Sequence, residues 1–277
     1  MNLTYVIYSH TEFLDMLEIA SDYASKIKNK VLLINKTDDD ISHILSKFDS
    51  VIYYDDSLPY TNKVSDAVSK INSKYILFTH EVDIILNVEN EIIEKLCDFM
   101  EFNNVDRIDL QPNGGNEKGI YYKISEKDPI ESWGCYENIH NPEKELESDY
   151  HYLGLHTQMG TYVFNVNPSI WKRETYIELF KKFKNRTYRD VEYDDVQEYC
   201  SNGGLKVFNL YSNKLLLCGY MKSLPFYKYM HITHYGRLLR FDGSFRTEFE
   251  QSYIDVANDY IDIINKYKLS GDKRPFS

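Results

Sequence analysis

The 277-residue chain is short of several features that declare a function on sight. Its four cysteines, Cys97, Cys135, Cys200 and Cys218, stand far apart. With no C-x-x-C pair and no His/Cys cluster at zinc-finger spacing, buried free thiols of a reducing compartment are expected. Positive charge is scarce: 32 Lys and Arg face 43 Asp and Glu, a net charge of -11. That excludes a broad basic footprint for nucleic acid or an anionic membrane, so any phosphate must be met by a local device. No long apolar run is present. The opening MNLTYVIYSHTEF enters strand-like sequence without a basic n-region or cleavage site, so a cytoplasmic chain without a transmembrane segment is expected.

Glycine-rich phosphate loops are missing too. The dinucleotide fingerprint G-x-G-x-x-G belongs directly after a first strand, where this chain has Ser9-His10-Thr11-Glu12. Neither G-x-x-x-x-G-K-[ST] nor the nucleophile elbow G-x-S-x-G occurs, which speaks against an α/β-hydrolase. A ligand at the sheet's C-terminal edge is then held by side chains and a metal.

What is present is an ordinary globular composition, 43% hydrophobic and 27% charged, with 25 Tyr, 14 Phe and 2 Trp. The length suits one large domain or two small ones. Apolar runs at Thr4–Ser9, Lys30–Asn35, Ser50–Tyr54, Lys74–His80 and Val105–Gln111 alternate with amphipathic stretches, the pattern of β-α-β units feeding a mainly parallel sheet. Phe13, Leu14, Leu17, Ile19, Ala20 and Tyr23 recur at helical spacing, as do Ile92, Ile93, Leu96, Phe99 and Met100. Residues 112–157 break the rhythm and read as a long excursion. Beyond it, Thr161–Val166 predicts a strand, Pro168–Lys181 a helix and Glu192–Cys200 another. Leu205–Tyr211 and Lys214–Gly219 read as strands, and a closing helix covers about Phe249–Tyr267.

The most informative segment is Tyr75-Ile76-Leu77-Phe78-Thr79-His80-Glu81-Val82-Asp83. An apolar strand runs into two carboxylates at its C-terminal end, where open α/β sheets hold their ligands. In extended geometry Glu81 and Asp83 point the same way, so both face one divalent ion or divide between ion and sugar; a solvated acidic turn is the plain alternative.

Together with the preceding unit, Val51–Tyr60 (VIYYDDSLPY) and a helix, this segment resembles the donor-binding half of GT-A glycosyltransferases, over roughly residues 3–110 and more loosely 156–236. The resemblance implies an α/β fold of the nucleotide-diphospho-sugar transferase type, a Rossmann-like mixed sheet flanked by helices. It implies a single domain of that fold over 1–277, made of a nucleotide-sugar-binding half (1–111), a loop excursion (112–157), an acceptor and catalytic half (158–247) and a C-terminal helix and tail (248–277). In that fold a D-x-D element after the fourth strand binds a divalent metal bridging the diphosphate. Here its first Asp is replaced, giving His80-Glu81-Val82-Asp83. Asp83 is the implied ligand of Mn2+ or Mg2+, with Glu81 beside it, while Glu81 or His80 touches the ribose or sugar. Ser9, His10, Tyr54 and Asp55 are implied at the nucleotide.

The segment His156–Glu174 (HTQMGTYVFNVNPSIWKRE) also resembles this group, whose bacterial and viral members carry a Q-x-x-x-W-(K/R)-(K/R)-(E/D) helix start and an acidic base some 20 residues later. Glu192 occupies that place, with Asp194 and Asp195 as rivals. A carboxylate suits an inverting transfer, which takes a proton from the acceptor hydroxyl; a helix N-terminal acid cluster is the alternative. Gln158 and Trp171 are implied at the substrate, Trp171 as a wall for a sugar ring or as a core anchor. In Met230–Arg237 (MHITHYGR), His231 and His234 are implied as further metal ligands. Arg237, with Arg240, is implied as the cation that neutralises a leaving diphosphate.

The expected activity is hexosyl transfer from a nucleotide diphosphate sugar, such as a UDP-sugar, to a glycan or glycoprotein hydroxyl, in the cytoplasm (the host's, for a viral chain). A non-catalytic nucleotide- or carbohydrate-binding module is the alternative. A sugar nucleotidyltransferase is a third, disfavoured because its glycine-rich G-x-G-x-R segment is missing after the first strand.

Overall fold

Four strands, β1 (Leu3–Tyr8), β2 (Lys30–Asn35), β3 (Ser50–Tyr54) and β4 (Tyr75–His80), lie parallel in the order β3-β2-β1-β4, and all but the edge strand β3 are buried on both faces. The computed structural model describes residues 2–110, 117–124, 131–139, 151–155, 164–192, 195–212, 221–223, 227–234, 237–238, 250–270 and 274. Continuous apolar runs form such strands because side chains of period two must be buried on both sides. Leu3, Tyr5 and Ile7 of β1 join one core and Val6 and Tyr8 the other; Leu32 and Ile34 oppose Val31 and Leu33 in β2, and Tyr75 and Leu77 oppose Ile76 and Phe78 in β4.

Helices cover both faces. α1 (Leu14–Tyr23) and α4 (Asn90–Asn103) bury Met16, Leu17, Ile92 and Leu96 in the first core. In the second, α3 (Tyr60–Ser69) and α5 (Arg173–Lys182) bury Val64, Val68, Tyr176 and Phe180. A short helix, α2 (Ser42–Leu45), precedes β3, while α6 (Asp195–Tyr199) and α7 (Glu250–Lys266) follow later in the chain. The spans expected around Phe13–Tyr23, Glu91–Phe102 and Phe249–Tyr267 are therefore helical.

Beyond β4 the sheet continues as β10 (Ser169–Lys172), β6 (Arg107–Asp109) and β11 (Val207–Ser212). β10 is antiparallel to both neighbours, and β6 and β11 are parallel, so the sheet is mixed and Rossmann-like, as expected. The helix expected from Pro168 starts only at Arg173, because Ile170 and Trp171 are buried on opposite faces of the sheet between β4 and β6. Tertiary pairing there overrides a local helix-start signal. The excursion at 112–157 carries three strands, β7 (Glu117–Ile124), β8 (Glu131–Ile139) and β9 (His151–Leu155), that extend the sheet antiparallel from β11. Lys214–Gly219 lies outside the described residues.

A strand that sequence reading missed, β5 (Asp83–Val88), leaves the main sheet two residues after β4 and pairs with β13 (Tyr227–His231), itself paired with β12 (Met221–Ser223). Two short strands, β14 (Thr233–His234) and β15 (Arg237–Leu238), pair with each other.

Candidate active site at the carboxyl edge of the sheet

Strand order places the site. The chain moves outward from β1 through β2 to β3, then returns to the other side of β1 as β4, so the topological switch lies between the carboxyl ends of β1 and β4, where open α/β sheets bind ligands. Ser9 and His10 follow β1, and Glu81 follows β4, tied across the switch by the Glu81 amide donating to the Tyr8 carbonyl at 3.1 Å.

On the β1–β3 side, Tyr54 donates its hydroxyl to the Ser9 carbonyl at 2.7 Å and stacks on Tyr8 with ring centroids 5.2 Å apart. Lys63 lies 5.0 Å over the Tyr54 ring and 2.7 Å from Asp56, whose other oxygen is 2.9 Å from His10 Nε2. Asp55 is exposed and closes a turn by accepting from the Ser57 amide and hydroxyl. Ser9, His10, Tyr54 and Asp55 thus share one edge, with Asp56 and Lys63 joining them unforeseen.

The acidic step differs from its extended expectation. Glu81 and Val82 form a turn, and Asp83 opens β5, so the two carboxylates are not consecutive positions of one strand face. Both are buried. Burial pushes Glu81 up to about 8, Asp83 adding to the shift. Asp83 instead meets His231, its register partner in β13 and 148 residues away, with Nδ1 2.8 Å from Oδ1. Glu81 does not join that pair: among the described residues no three His, Cys, Asp or Glu side chains converge. A carboxylate with an imidazole is a donor set that Mn2+ accepts, and hard divalent ions often fill their remaining positions with water and phosphate oxygens. Asp83 and His231 therefore fit such an ion as a two-donor set. His80 shares a hydrogen bond with Tyr60 (3.0 Å) inside a cluster with Tyr8, Phe78 and Tyr188, and burial pulls it down to about 4. It is a neutral imidazole at pH 7.

Glu192 ends a single helical turn, Asp190–Glu192, half-buried, with Oε1 accepting the Val166 amide at 2.7 Å. Burial raises its pKa, and Arg107 opposes that rise. Asp195, its rival, is exposed and paired with Arg186 at 2.5 Å. Trp171 is 2% exposed and packs in the core against Phe164 and Tyr176, with the Arg107 guanidinium 5.0 Å over its ring. The core-anchor role holds, and no ring face is left for a sugar. Arg237 is exposed on β15, in register with His234. Gln158, Asp194 and Arg240 lie outside the described residues.

Sequence reading missed a buried polar network beside Glu192. Arg107, fully buried, donates through Nη2 to Asn165 Oδ1 (2.6 Å) and Ser169 Oγ (2.7 Å) and stands 3.3 Å from Asp109. Asn165 donates in turn to Asp109 at 2.7 Å. The signal lay in Val105–Gln111, where two opposite charges at i and i+2 interrupt an apolar strand and so must share one face.

No family model matches the chain, and no curated protein matches it. Among solved structures it is similar to a cytidylyltransferase from Leptospira borgpetersenii, at 11% identity and a TM-score of 0.44, covering 77% of this chain and 76% of that one. It is also similar to S. aureus TarS 1-349 in complex with UDP-GlcNAc, at 11% identity and 0.42, covering 76% and 56%. A third likeness is to CMP:2-keto-3-deoxy-manno-octonic acid synthetase complexed with CTP, at 10% identity and 0.39, covering 76% and 89%. The chain thus spans just over half of the TarS fragment. Identities this low leave the chemistry to the chain's own residues.

Proposed function

We propose that this chain is a glycosyltransferase that moves a hexose from a nucleotide diphosphate sugar to a hydroxyl of a glycan or glycoprotein. The observation that carries the reading is the meeting of Asp83 and His231 beside the β1–β4 switch, from segments 148 residues apart. Asp83 and His231 would hold a divalent ion, which when bound supplies positive charge for the leaving diphosphate. Tyr54, Lys63 and His10 line the nucleotide side. Glu192 is the general base: its carboxylate takes the proton of the acceptor hydroxyl as that oxygen attacks the anomeric carbon and the bond to the diphosphate oxygen breaks, inverting the configuration. A pKa raised by burial makes Glu192 a stronger base than an exposed carboxylate.

One observation favours a second reading, a nucleotide- or carbohydrate-binding module without catalysis: only two ligating side chains converge among the described residues. A thermal-shift panel of nucleoside diphosphates and nucleotide sugars, with and without Mn2+, separates these from each other and from no function at this edge. The expected result is a rise in melting temperature with a nucleotide sugar that depends on Mn2+ and is lost in Asp83→Asn and His231→Asn. Binding without any release of nucleoside diphosphate favours the module. No response to any nucleotide overturns the transferase and the nucleotide-binding module alike.

A further inference from the structure

The position of Glu192 depends on the segment Phe164–Ser169, which is bound on two sides. On one side the Val166 amide donates to Glu192 Oε1, and Gln197 clamps the same strip. Its side-chain oxygen accepts the Phe164 amide at 3.1 Å, and its nitrogen donates to the Glu192 carbonyl at 2.7 Å. On the other side every polar atom of the Asn165 side chain is engaged. Oδ1 accepts from Arg107 (2.6 Å) and from the Asn167 amide (3.1 Å), while Nδ2 donates to Asp109 (2.7 Å). Ser169 closes the loop, accepting from Arg107 and donating to the Asn167 carbonyl at 2.6 Å. Arg107, Asp109, Asn165 and Ser169 are all buried.

From this we propose that Asn165 is a positioning residue for the base, acting through the Val166 amide on Glu192; the inference rests on the transferase reading. The side chain and the next amide belong to adjoining units of one short strip. Clamping Asn165 between Arg107 and Asp109 therefore sets the direction in which the Val166 N–H points, and with it the Glu192 carboxylate. An apolar side chain would fill the space yet leave a buried guanidinium and carboxylate short of partners, a costly arrangement that a purely space-filling role does not need. The charged groups that face Glu192 are Arg107 and Asp109, both on β6, whereas Asp195 is turned to Arg186. No group of Asn165 touches the reacting atoms in this scheme.

A double-mutant cycle tests it, using nucleoside diphosphate release from whichever nucleotide sugar gives the largest thermal shift. Asn165→Ala should lower kcat about tenfold or more, since small misplacements of a reacting group are expensive, with KM for the donor within about twofold of wild type. In a Glu192→Gln background the same substitution should cost nothing further, because its effect passes through the carboxylate already removed. An equal loss of kcat in both backgrounds, or no loss in either, overturns the positioning role. If Glu192→Gln alone turns over at the wild-type rate, the base assignment fails instead, which is a separate result. Asn165→Ser, which retains a hydroxyl near Arg107, is read in the same cycle should the alanine variant not fold. Failure of both to fold would overturn the proposal, making Asn165 a residue of the fold alone.

Discussion

Burial decides the chemistry of single side chains here, and it does so where sequence reading offered several candidates. Glu192 holds the base position in the sequence with Asp194 and Asp195 as rivals, and of the two that are described Glu192 is half-buried against Val166 while Asp195 is exposed and paired with Arg186. Since burial raises its pKa, the folded protein holds a proton at Glu192 more tightly than the unfolded chain does. The stability this lends is complete below the ordinary Glu range and is lost as pH rises through the raised value. Glu192→Gln cannot ionise and keeps an acceptor for the Val166 amide. Its stability relative to wild type should therefore climb as pH rises from the ordinary Glu range through the raised value. Urea midpoints at about pH 5 and about pH 8 check this, and an unchanged difference would contradict it. The same physics predicts inert thiols. Burial pushes Cys97 and Cys200 up to about 12, so thiolate reagents at about pH 8 should leave both unlabelled in the native protein and modify both in denaturant. Peptide mapping distinguishes them from Cys135 and Cys218.

At the level of elements, strands buried on both faces and long amphipathic helices were legible because their periods repeat over many residues. Shorter or tertiary-determined pieces were not. β10 is built from a sequence that reads as a helix start, and β5 from one that sequence reading left unassigned, since what makes each a strand is a partner distant in sequence. The end of the helical stretch after Asp195 shows a local rule instead. Gly203 has φ of 85°, a conformation open to glycine, and a side chain at Gly204 would meet the Tyr199 carbonyl and come within 2.7 Å of its ring. Gly204→Ala should destabilise the protein by roughly 1–3 kcal/mol, measured by urea denaturation. A neutral effect would mean that Tyr199 moves aside freely.

Across the whole molecule, the C-terminal part of the described chain is tied to the helical segment that follows β1. Arg274 donates through Nε and Nη2 to the two Asp15 carboxylate oxygens at 2.6 Å each and to the Glu12 carbonyl at 3.2 Å, and lies 4.7 Å over the Phe13 ring, in the segment that follows β1. Tyr267 donates to Asp22 of α1 at 2.7 Å. Arg274→Ala should lower stability on the order of 1–2 kcal/mol, and Arg274→Lys should recover little of it, because an ammonium cannot form the two-pronged contact. Chemical denaturation of the three proteins side by side checks both expectations. By itself the sequence determined the α/β alternation, the absence of glycine phosphate loops and the stretch where carboxylates crowd a strand end, all properties of local pattern. Only the tertiary structure decided that Asp83 faces His231 and not Glu81, that Trp171 is core, and that an Arg107–Asp109 pair lies behind Glu192. Each of these depends on which distant strands become neighbours, and side-chain spacing along the chain does not carry that information.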